Sequence, residues 1–201
     1  MLVALTGAGI SRPSGIPTFE EQPWLQKTLT REFFDSQPEA FYERYWQMVE
    51  LMESVEPNRA HLTLAKYKIP IITQNIDCLH QRAGSEEVAQ VHGYYSEFIC
   101  EGCQGQASLP DGLRPIPYRC PKCREVLKPK VVLYGEQMRD WERAVSLAAA
   151  CDTLLVVGTS LQVYPAAYLP QMVQERGAEV VVINDNADTR VPAFFADYQV
   201  R

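Results

Sequence analysis

The stretch LVALTGAGIS, residues 2–11, decides the fold. Its apolar half, LVAL, has the composition of a strand that is buried on both faces, and a glycine turn follows directly. Later segments repeat the order of an apolar strand and then a polar end; they are IPIIT (69–73), TLLVVGTS (153–160) and EVVVIND (179–185). Helical patterns separate them, for example HLTLAKYK (61–68) and WERAVSLAAAC (141–151). Buried strands that alternate with helices predict an α/β fold, with a parallel sheet covered on both faces.

Size, composition and charge limit the classes of protein. The 201 residues are 46% hydrophobic and 22% charged, which is typical of a globular chain that can bury one core and carry an inserted subdomain. Acidic residues outnumber basic ones by 25 to 19, and the net charge of −6 does not favour a nucleic acid but would tolerate a basic peptide. No apolar run approaches the roughly 18 residues of a membrane span, and the start of the chain lacks the basic residues of a secretory signal. The sequence therefore predicts a cytoplasmic protein, with neither a membrane nor a nucleic acid as a direct partner.

Four of the six cysteines form two C-x2-C pairs, CEGC (100–103) and CPKC (120–123). The 16 residues between the pairs let each pair occupy two corners of a tetrahedral zinc ion. Two disulfides would require an oxidising compartment, and a redox C-x-x-C would open a helix after a strand, so both alternatives are weaker. Because four thiolates leave no open position, the predicted zinc ion is structural. The predicted ligands are Cys100, Cys103, Cys120 and Cys123, whereas Cys78 and Cys151 are expected to be small apolar residues of the core.

Polar residues follow four of the predicted strands, at the ends where an open parallel sheet binds its ligands. In the first turn, Gly7 and Gly9 would let backbone N–H groups approach a pyrophosphate, although Arg12 stands where the third glycine of G-x-G-x-x-G is expected. On its own, this stretch is an equally good tight turn. The other ends carry Gln74, Asn75 and Asp77, then Gly158, Thr159 and Ser160, then Asn184 and Asp185. Four such ends at one crevice predict a dinucleotide site.

The order of these motifs resembles that of the sirtuins, the family of NAD-dependent protein-lysine deacylases, in its bacterial or archaeal form. The matching segments cover nearly the whole chain: GAGIS and SGIP-x-F (7–19), TQNID-x-LHQRAG (73–84), VHG (91–93), the two cysteine pairs, KPKVVLYGE (128–136), GTSLQVYPAA (158–167) and VIN (182–184). The resemblance implies a Rossmann-type NAD-binding domain made of residues 1–19, 59–95 and 128–201. It also implies a small domain made of a helical insertion, residues 20–58, and a zinc ribbon, residues 96–127. NAD and an acyl-lysine peptide would enter the cleft between the two domains.

The resemblance assigns the strand ends to the cofactor. Gln74 and Asn75 would hold the nicotinamide ribose, and Asp77 would accept hydrogen bonds from the nicotinamide carboxamide. Phe19 would shield the reacting face of the ribose from water, and Asn184 would contact the adenosine ribose. The full set of implied cofactor residues is Gly7, Ala8, Gly9, Ile10, Phe19, Gln74, Asn75, Ile76, Asp77, Gly158, Thr159, Ser160 and Asn184.

His92 is the candidate general base that the V-H-G motif implies. An imidazole with a pKa near 6.5 is neutral at about pH 7 and can take a proton from a ribose hydroxyl. The family chemistry would consume NAD: the acyl oxygen attacks the ribose carbon that bears nicotinamide, nicotinamide leaves, and the acyl group ends on O-acyl-ADP-ribose. Gln74 and Asn75 would complete the catalytic set. The other histidines, His61 and His80, are expected to be structural.

The peptide is implied to lie as an added strand between the VVLYGE and VYPAA segments, held by backbone hydrogen bonds. Val132 and Tyr134 would line the tunnel for the acyl-lysine. Sirtuins that remove acidic acyl groups carry a Tyr-x-x-Arg pair in the helical insertion, where this chain has Tyr45 and Met48. Because Met48 supplies no cation, neutral acyl groups are expected, acetyl first. The implied substrate residues are Tyr45, Met48, Val132, Tyr134, Gly135, Glu136, Val163 and Tyr164.

Some positions depart from the sirtuin pattern. Thr18 and Glu20 stand where the family usually has an aspartate and an arginine, and a carboxylate near a pyrophosphate would weaken NAD binding. Cys78 stands where a glycine is common. A mono-ADP-ribosyltransferase, an NAD hydrolase or an NAD-binding module with weak catalysis is therefore the alternative. The helices that usually flank the two ends of a sirtuin are missing, which suggests a truncated or shortened protein, and we expect a monomer.

Overall fold

The computed structural model of the protein describes residues 1–18 and 20–198. Its strands are β1 Leu2–Thr6, β2 Ile71–Thr73, β3 Val88–Gln90, β4 Gly93–Ile99, β5 Gln106–Ser108, β6 Lys128–Val131, β7 Thr153–Val157 and β8 Glu179–Ile183. Its α-helices are α1 Pro23–Thr28, α2 Arg31–Ser36, α3 Pro38–Ser54, α4 Arg59–Lys66, α5 Leu79–Arg82, α6 Trp141–Ala150, α7 Leu169–Glu175 and α8 Ala187–Tyr198.

The larger sheet has five parallel strands in the order β3-β2-β1-β7-β8. Every residue of β1 and β7 is buried, because both strands are apolar on both faces and helices cover the sheet on either side. One face packs against α4 and α8 through residues such as Leu64 and Phe195, and the other packs against α6 and α7 through Ala148 and Val173. The predicted α/β fold with a Rossmann-like parallel sheet is confirmed. The short strand β3 and the helix α8 were not among the elements that the sequence pattern indicates.

The smaller unit combines the helical insertion with an antiparallel sheet of three strands, in the order β5-β4-β6. The two parts share one aromatic core, in which the rings of Trp46 and Phe98 lie 5.7 Å apart. Tyr42 of α3 also donates a hydrogen bond of 2.5 Å to the carbonyl oxygen of Leu127. The insertion and the ribbon therefore pack as a single unit, although residues 59–95 separate the two segments in the sequence.

Two strands of the smaller sheet lie at the domain boundaries that the sequence implies. Residues 128–201 are expected in the NAD-binding domain, but β6 pairs with β4 in the smaller sheet. β4 itself begins at Gly93, inside the segment 59–95 that is expected in the larger domain. A short strand such as KPKV has no pattern that distinguishes one sheet from the other, so its partner strand cannot be predicted from its sequence.

In the part of the chain that the structure describes, no helix combines the length and the apolar composition needed to cross a membrane.

Candidate active site

The loops after β1, β2 and β7 meet at the carboxyl ends of these strands. Hydrogen bonds join the loops directly: Gly9 N donates to Gly158 O at 2.8 Å, and Gln74 N donates to Thr6 O at 2.9 Å. After β1 the chain passes to β2 on one side, and β7 later adds on the other side, so the loops lie at a switch point of the strand order. Crevices at such points are the usual ligand sites of open α/β sheets.

The two glycines of the first turn are required by the contact between the loops. A Cβ added to Gly9 would lie 2.7 Å from the Cα of Gly158, and one added to Gly7 would lie 2.7 Å from the Cβ of Thr159. Gly158 itself has a φ of +62°, in the left-handed region that favours glycine. The absence of side chains at these glycines thus lets the ends of β1 and β7 approach closely. Ala8 lines the open space beside them.

A cleft of about 1460 Å³ lies between the larger domain and the smaller unit. Single small-molecule sites measure roughly 300–1,000 Å³, so the cleft can hold a dinucleotide together with part of a second substrate. Expected cofactor and catalytic residues that line it are Gly7, Ala8, Gly9, Gln74, Asn75, Ile76, Asp77, His92, Gly158, Thr159, Ser160 and Asn184. Expected substrate residues that line it are Met48, Val132, Tyr134, Gly135, Glu136, Val163 and Tyr164.

Two of the expected site residues that the structure describes are not in this lining. Ile10 is fully buried in the core of the larger domain. Tyr45 is buried in the aromatic core of the smaller unit, where its ring stacks on Phe41 and its hydroxyl donates a 2.8 Å hydrogen bond to the carbonyl oxygen of Tyr95. Phe19 lies outside the described residues.

The amides and the carboxylate at the strand ends have partners within the protein. Asn75 Nδ2 donates to Gly7 O and to Ser11 Oγ, both at 3.1 Å. Ser11 Oγ in turn donates to Asp77 Oδ2 at 2.6 Å, and Leu79 N donates to Asp77 Oδ1 at 2.9 Å. Burial raises the pKa of Asp77, and the hydrogen bond from Ser11 opposes that shift. Ser11 thus links two strand ends, a role that its place in the GAGIS motif did not reveal.

A second chain of hydrogen bonds joins β2 to the ends of β7 and β8. Gln74 Nε2 donates to Thr159 Oγ1 at 3.0 Å, and Thr159 N donates to Asn184 Oδ1 at 3.1 Å. These hydrogen bonds join the ends of β1, β2, β7 and β8. We call the joined residues, Gln74, Asn75, Thr159 and Asn184, the polar floor of the cleft. Polar groups that are hydrogen-bonded in this way hold a fixed geometry, which a ligand can use without reorganising the loops.

His92 lies in the turn between β3 and β4, and its ring is held by the residue that follows β2. Its Nδ1 is 2.8 Å from the carbonyl oxygen of Gln74. Because a carbonyl oxygen can only accept, Nδ1 carries the hydrogen and Nε2 keeps its lone pair. Burial lowers the pKa of His92, and the bond to Gln74 partly opposes this effect. The side chain is therefore a neutral base at physiological pH, and it lines the cleft.

The wall that the smaller unit gives to the cleft is apolar around Met48. It includes Leu25, Leu29 and Leu51, together with Leu133 from the segment after β6. The arginines that line the cleft within the described residues, Arg12 and Arg143, belong to other elements. This wall suits an uncharged group and, within the described residues, offers no cation to an acidic one.

The four cysteines of the ribbon form a compact cluster. Their sulfur atoms all lie within 4.8 Å of one another, with Cys100 and Cys123 at 3.3 Å and Cys103 and Cys120 at 3.6 Å. Zinc–sulfur bonds of about 2.3 Å in tetrahedral geometry place the sulfurs about 3.8 Å apart, so the cluster fits one zinc ion.

The four thiols influence one another's ionisation. Backbone N–H groups of Cys123 and Lys122 lower the pKa of Cys120 to about 6. A backbone hydrogen bond from Glu125 lowers the pKa of Cys123, but the neighbouring sulfurs of Cys100 and Cys103 outweigh it and raise that pKa to about 12. Four thiolates at this distance repel one another unless a cation lies between them.

A sequence model of the Sir2 family matches residues 7–165. The chain belongs to the Sir2 family. Its Sir2 relatives include the NAD-dependent protein deacetylase of Caldivirga maquilingensis, 42% identical over 197 aligned residues that cover 90% of this chain and 77% of the relative. The NAD-dependent protein deacylase of Thermococcus kodakarensis is 41% identical over 203 residues, with 90% of this chain and 79% of the relative covered.

Solved Sir2 structures have the same fold. A complex of a Sir2 homologue with NAD matches with a TM-score of 0.92 at 30% identity, over 99% of this chain and 89% of the other. Sir2Tm bound to a propionylated peptide matches with a TM-score of 0.91 at 32% identity, over 100% of this chain and 94% of the other.

Proposed function

We propose that this Sir2-family protein is an NAD-dependent protein-lysine deacylase, which transfers the acyl group to ADP-ribose and releases nicotinamide. The observation that carries the proposal is the neutral His92, fixed by the Gln74 carbonyl, in the same cleft as the polar floor of the strand ends. The relatives named as NAD-dependent deacetylases and deacylases support it. The alignments with these relatives cover about nine-tenths of this chain, so the similarity is not confined to one part of the cleft.

The residues of the polar floor suit NAD. The cleft accommodates the length of a dinucleotide, and the close approach of Gly9 to Gly158 keeps side chains away from the place where phosphates would lie. Ala8, Gly9, Thr159 and Ser160 would hold the phosphates. When bound, NAD supplies the ribose carbon to which the acyl oxygen is transferred.

The remaining roles fall to side chains around the ribose. Asn184 would hold the adenosine ribose, while Gln74 and Asn75 would orient the nicotinamide ribose. Asp77 would hold the nicotinamide carboxamide, and Ile76 would pack beside it. His92 Nε2 would take the proton of a ribose hydroxyl, because the Gln74 carbonyl already holds Nδ1–H.

The acylated peptide would lie between Val132–Glu136 and Val163–Tyr164. Tyr134 and Tyr164 are exposed at 44% and 74%, so both sides of this groove are open to a protein chain. The acyl group would point toward Met48 and the apolar wall. Because this wall carries no cation within the described residues, neutral acyl groups are the proposed class, with acetyl first.

One assay tests the reaction and its acyl class together. Nicotinamide release would be measured with acetyl-lysine and succinyl-lysine forms of one peptide, and the products would be identified by mass spectrometry. We expect the acetylated peptide to yield O-acetyl-ADP-ribose and a peptide with an unmodified lysine, and we expect little turnover of the succinylated peptide. ADP-ribosylated protein, or free ADP-ribose without deacylation, would instead indicate the transferase or the hydrolase. The structure offers no particular observation in favour of either alternative.

The proposal also covers the cellular compartment and the oligomeric state of the protein. The four cysteines would hold one structural zinc ion, which needs reduced thiols and therefore favours the cytoplasm. We also propose that the protein acts as a monomer, since both substrates reach a cleft formed within one chain. Gel filtration with light scattering would test the oligomeric state.

A further inference from the structure

Positive charge is scarce in the cleft where the proposed function requires a pyrophosphate. Among the described residues that line it, two arginines, Arg12 and Arg143, face six carboxylates. The carboxylates are Glu20, Glu21, Asp77, Glu136, Asp140 and Glu142. A pyrophosphate brings about two more negative charges, so a cation beside the phosphates would offset a strong repulsion.

Arg12 is the cation that lies beside the phosphate loop. Arg143 is engaged near the start of β3, where it lies 3.6 Å from a carboxylate oxygen of Glu87 and donates to the carbonyl oxygen of Val88. Arg12 directly follows the turn Gly7–Ser11 and is the first basic residue of the chain. Its side chain is 59% exposed and lines the cleft together with that turn.

Glu21 pairs with Arg12. Arg12 Nη2 donates to Glu21 Oε1 at 2.6 Å, but both side chains are half exposed, so solvent screens the pair and it contributes little to stability. The other oxygen, Glu21 Oε2, accepts from the backbone N–H and the hydroxyl of Thr18 at 2.8 and 3.1 Å. Glu21 would therefore keep two donors after Arg12 leaves, and no buried charge would lose its partner.

We propose that Arg12 is a further cofactor-binding residue, whose guanidinium exchanges the Glu21 carboxylate for the pyrophosphate of NAD. A guanidinium can donate two parallel hydrogen bonds to phosphate oxygens, which a half-exposed carboxylate pair does not match in strength. Glu21 then keeps the loop in place through Thr18, while Arg12 closes over the phosphates. This inference rests on the proposed function, because it takes NAD as the ligand.

Calorimetry with ADP-ribose and with adenosine separates a phosphate contact from other effects. We expect Arg12→Gln to weaken ADP-ribose binding about tenfold and to leave adenosine binding unchanged, because adenosine has no phosphate. Arg12→Lys should recover part of the affinity, since it keeps the charge but not the paired donors. The logarithm of the ADP-ribose Kd should also depend less steeply on salt in Arg12→Gln. A matched control is Lys68→Gln, which removes an exposed cation paired with Glu86 at 3.2 Å, outside the cleft.

The variant Glu21→Gln distinguishes this role from a purely structural one. If Arg12 binds phosphate, Glu21→Gln removes a competing carboxylate, and ADP-ribose binding should stay equal or become a few-fold tighter. If the ion pair only orders the loop, Glu21→Gln and Arg12→Gln should weaken ADP-ribose to the same extent, and that result would overturn the inference. Unchanged ADP-ribose binding by Arg12→Gln would also overturn it while leaving the proposed function intact. An unaltered protein that binds no ADP-ribose would overturn both.

Discussion

At the scale of single residues, the bond between His92 Nδ1 and the Gln74 carbonyl does two things at once. It selects the tautomer in which Nε2 is the free base, and it ties the candidate base to the strand end that carries the amides proposed to bind ribose. A change at either residue should therefore affect the orientation of the base. The backbone also explains why a glycine is common in the family at the position of Cys78: its φ is +58°, in the left-handed region. A glycine would adopt that φ without strain.

Replacing His92 by alanine should separate binding from chemistry. We expect His92→Ala to lower kcat for deacylation by about 10²- to 10⁴-fold, since a positioned base is lost, while ADP-ribose binds with near-normal affinity. Steady-state kinetics and calorimetry would check the two parts. Unchanged turnover would remove His92 from the role of base.

The pH profile of the unaltered enzyme should carry the signature of the same residue. Because burial lowers the pKa of His92, its imidazole stays neutral until the pH falls below its ordinary value of about 6.5. The deacylation rate should thus be level near neutrality and should decline on the acid side, as protonation occupies Nε2. A rate that instead declines from above pH 7 toward neutrality would contradict the lowered pKa.

Gly9 offers a test of the contact between the loops. Gly9→Ala would place a Cβ at 2.7 Å from the backbone of Gly158, so the loops must separate. We expect a loss of about 1–3 kcal/mol in the free energy of unfolding and weaker ADP-ribose binding. Gly177→Ala is the matched control: its φ of +83° strains the backbone, but open space surrounds the added carbon and the cleft should be unaffected. Equal ADP-ribose binding by both variants would show that the loops tolerate the added carbon.

At the scale of elements, the start of α4 joins a helix cap to the polar floor. Asn58 and His61 form a capping box, in which His61 Nδ1 accepts from the backbone N–H of Asn58 at 3.4 Å. His61 Nε2 lies 3.5 Å from Ser11 Oγ, which is bonded to Asp77, and the ring packs edge-on against His80 at 4.9 Å. A proton on Nδ1 would therefore break the cap. Burial accordingly lowers the pKa of His61 to about 4 and that of His80 well below its usual value.

This arrangement predicts acid sensitivity. A histidine with a pKa of about 4 in the folded protein and about 6.5 unfolded binds more protons when unfolded, so stability is lost as the pH falls between these values. For His61 alone, the free energy of unfolding should drop by about 2 kcal/mol from about pH 7 to about pH 5. His61→Gln keeps a side chain that can complete the capping box but cannot titrate, so urea titrations should show a smaller drop. An equal drop in both proteins would assign the effect to other groups, His80 first.

Helix α3 shows why part of the site escaped prediction. Seven of its residues are buried, including Phe41, Tyr45, Met48 and Met52, so its apolar pattern does not tell which face meets the cleft. Tyr45 and Met48 are three positions apart, yet Tyr45 enters the aromatic core and Met48 lines the cleft. That division depends on where β4 packs, which local periodicity does not encode.

At the scale of the whole molecule, local signals predicted more than long-range ones. Short stretches contain the signals that succeed. The spacing of the cysteines predicts the ribbon, and the apolar strands with polar ends predict the parallel sheet. The partners of the amides are distant: Gln74 and Thr159 are 85 residues apart in the sequence. The sequence assigns these amides to a cofactor, and it does not reveal that they also bond to neighbouring strand ends. In the structure, Gln74 bonds to Thr159 Oγ1 and Asn75 to Gly7 O.

The zinc cluster should support more than the ribbon. We expect Cys120→Ser to lose the metal and to lower Tm by about 10 °C or more, because metal binding is coupled to folding of the segment. Far-UV circular dichroism should also lose helical signal, since α3 packs on the ribbon through Trp46. Cys151→Ser is the matched control, because this thiol is also buried but does not belong to the cluster. The substitution should leave the zinc content at one ion. A Cys120→Ser protein that keeps its metal and its Tm would refute the structural role.

The shared aromatic core of the insertion and the ribbon limits how this protein can be recombined. A chimera that takes only the helices from another homologue would place foreign rings against Phe98 and Tyr118, and a chimera that takes only the ribbon would do the converse. Both segments would have to be transplanted together, as one cassette with two insertion points.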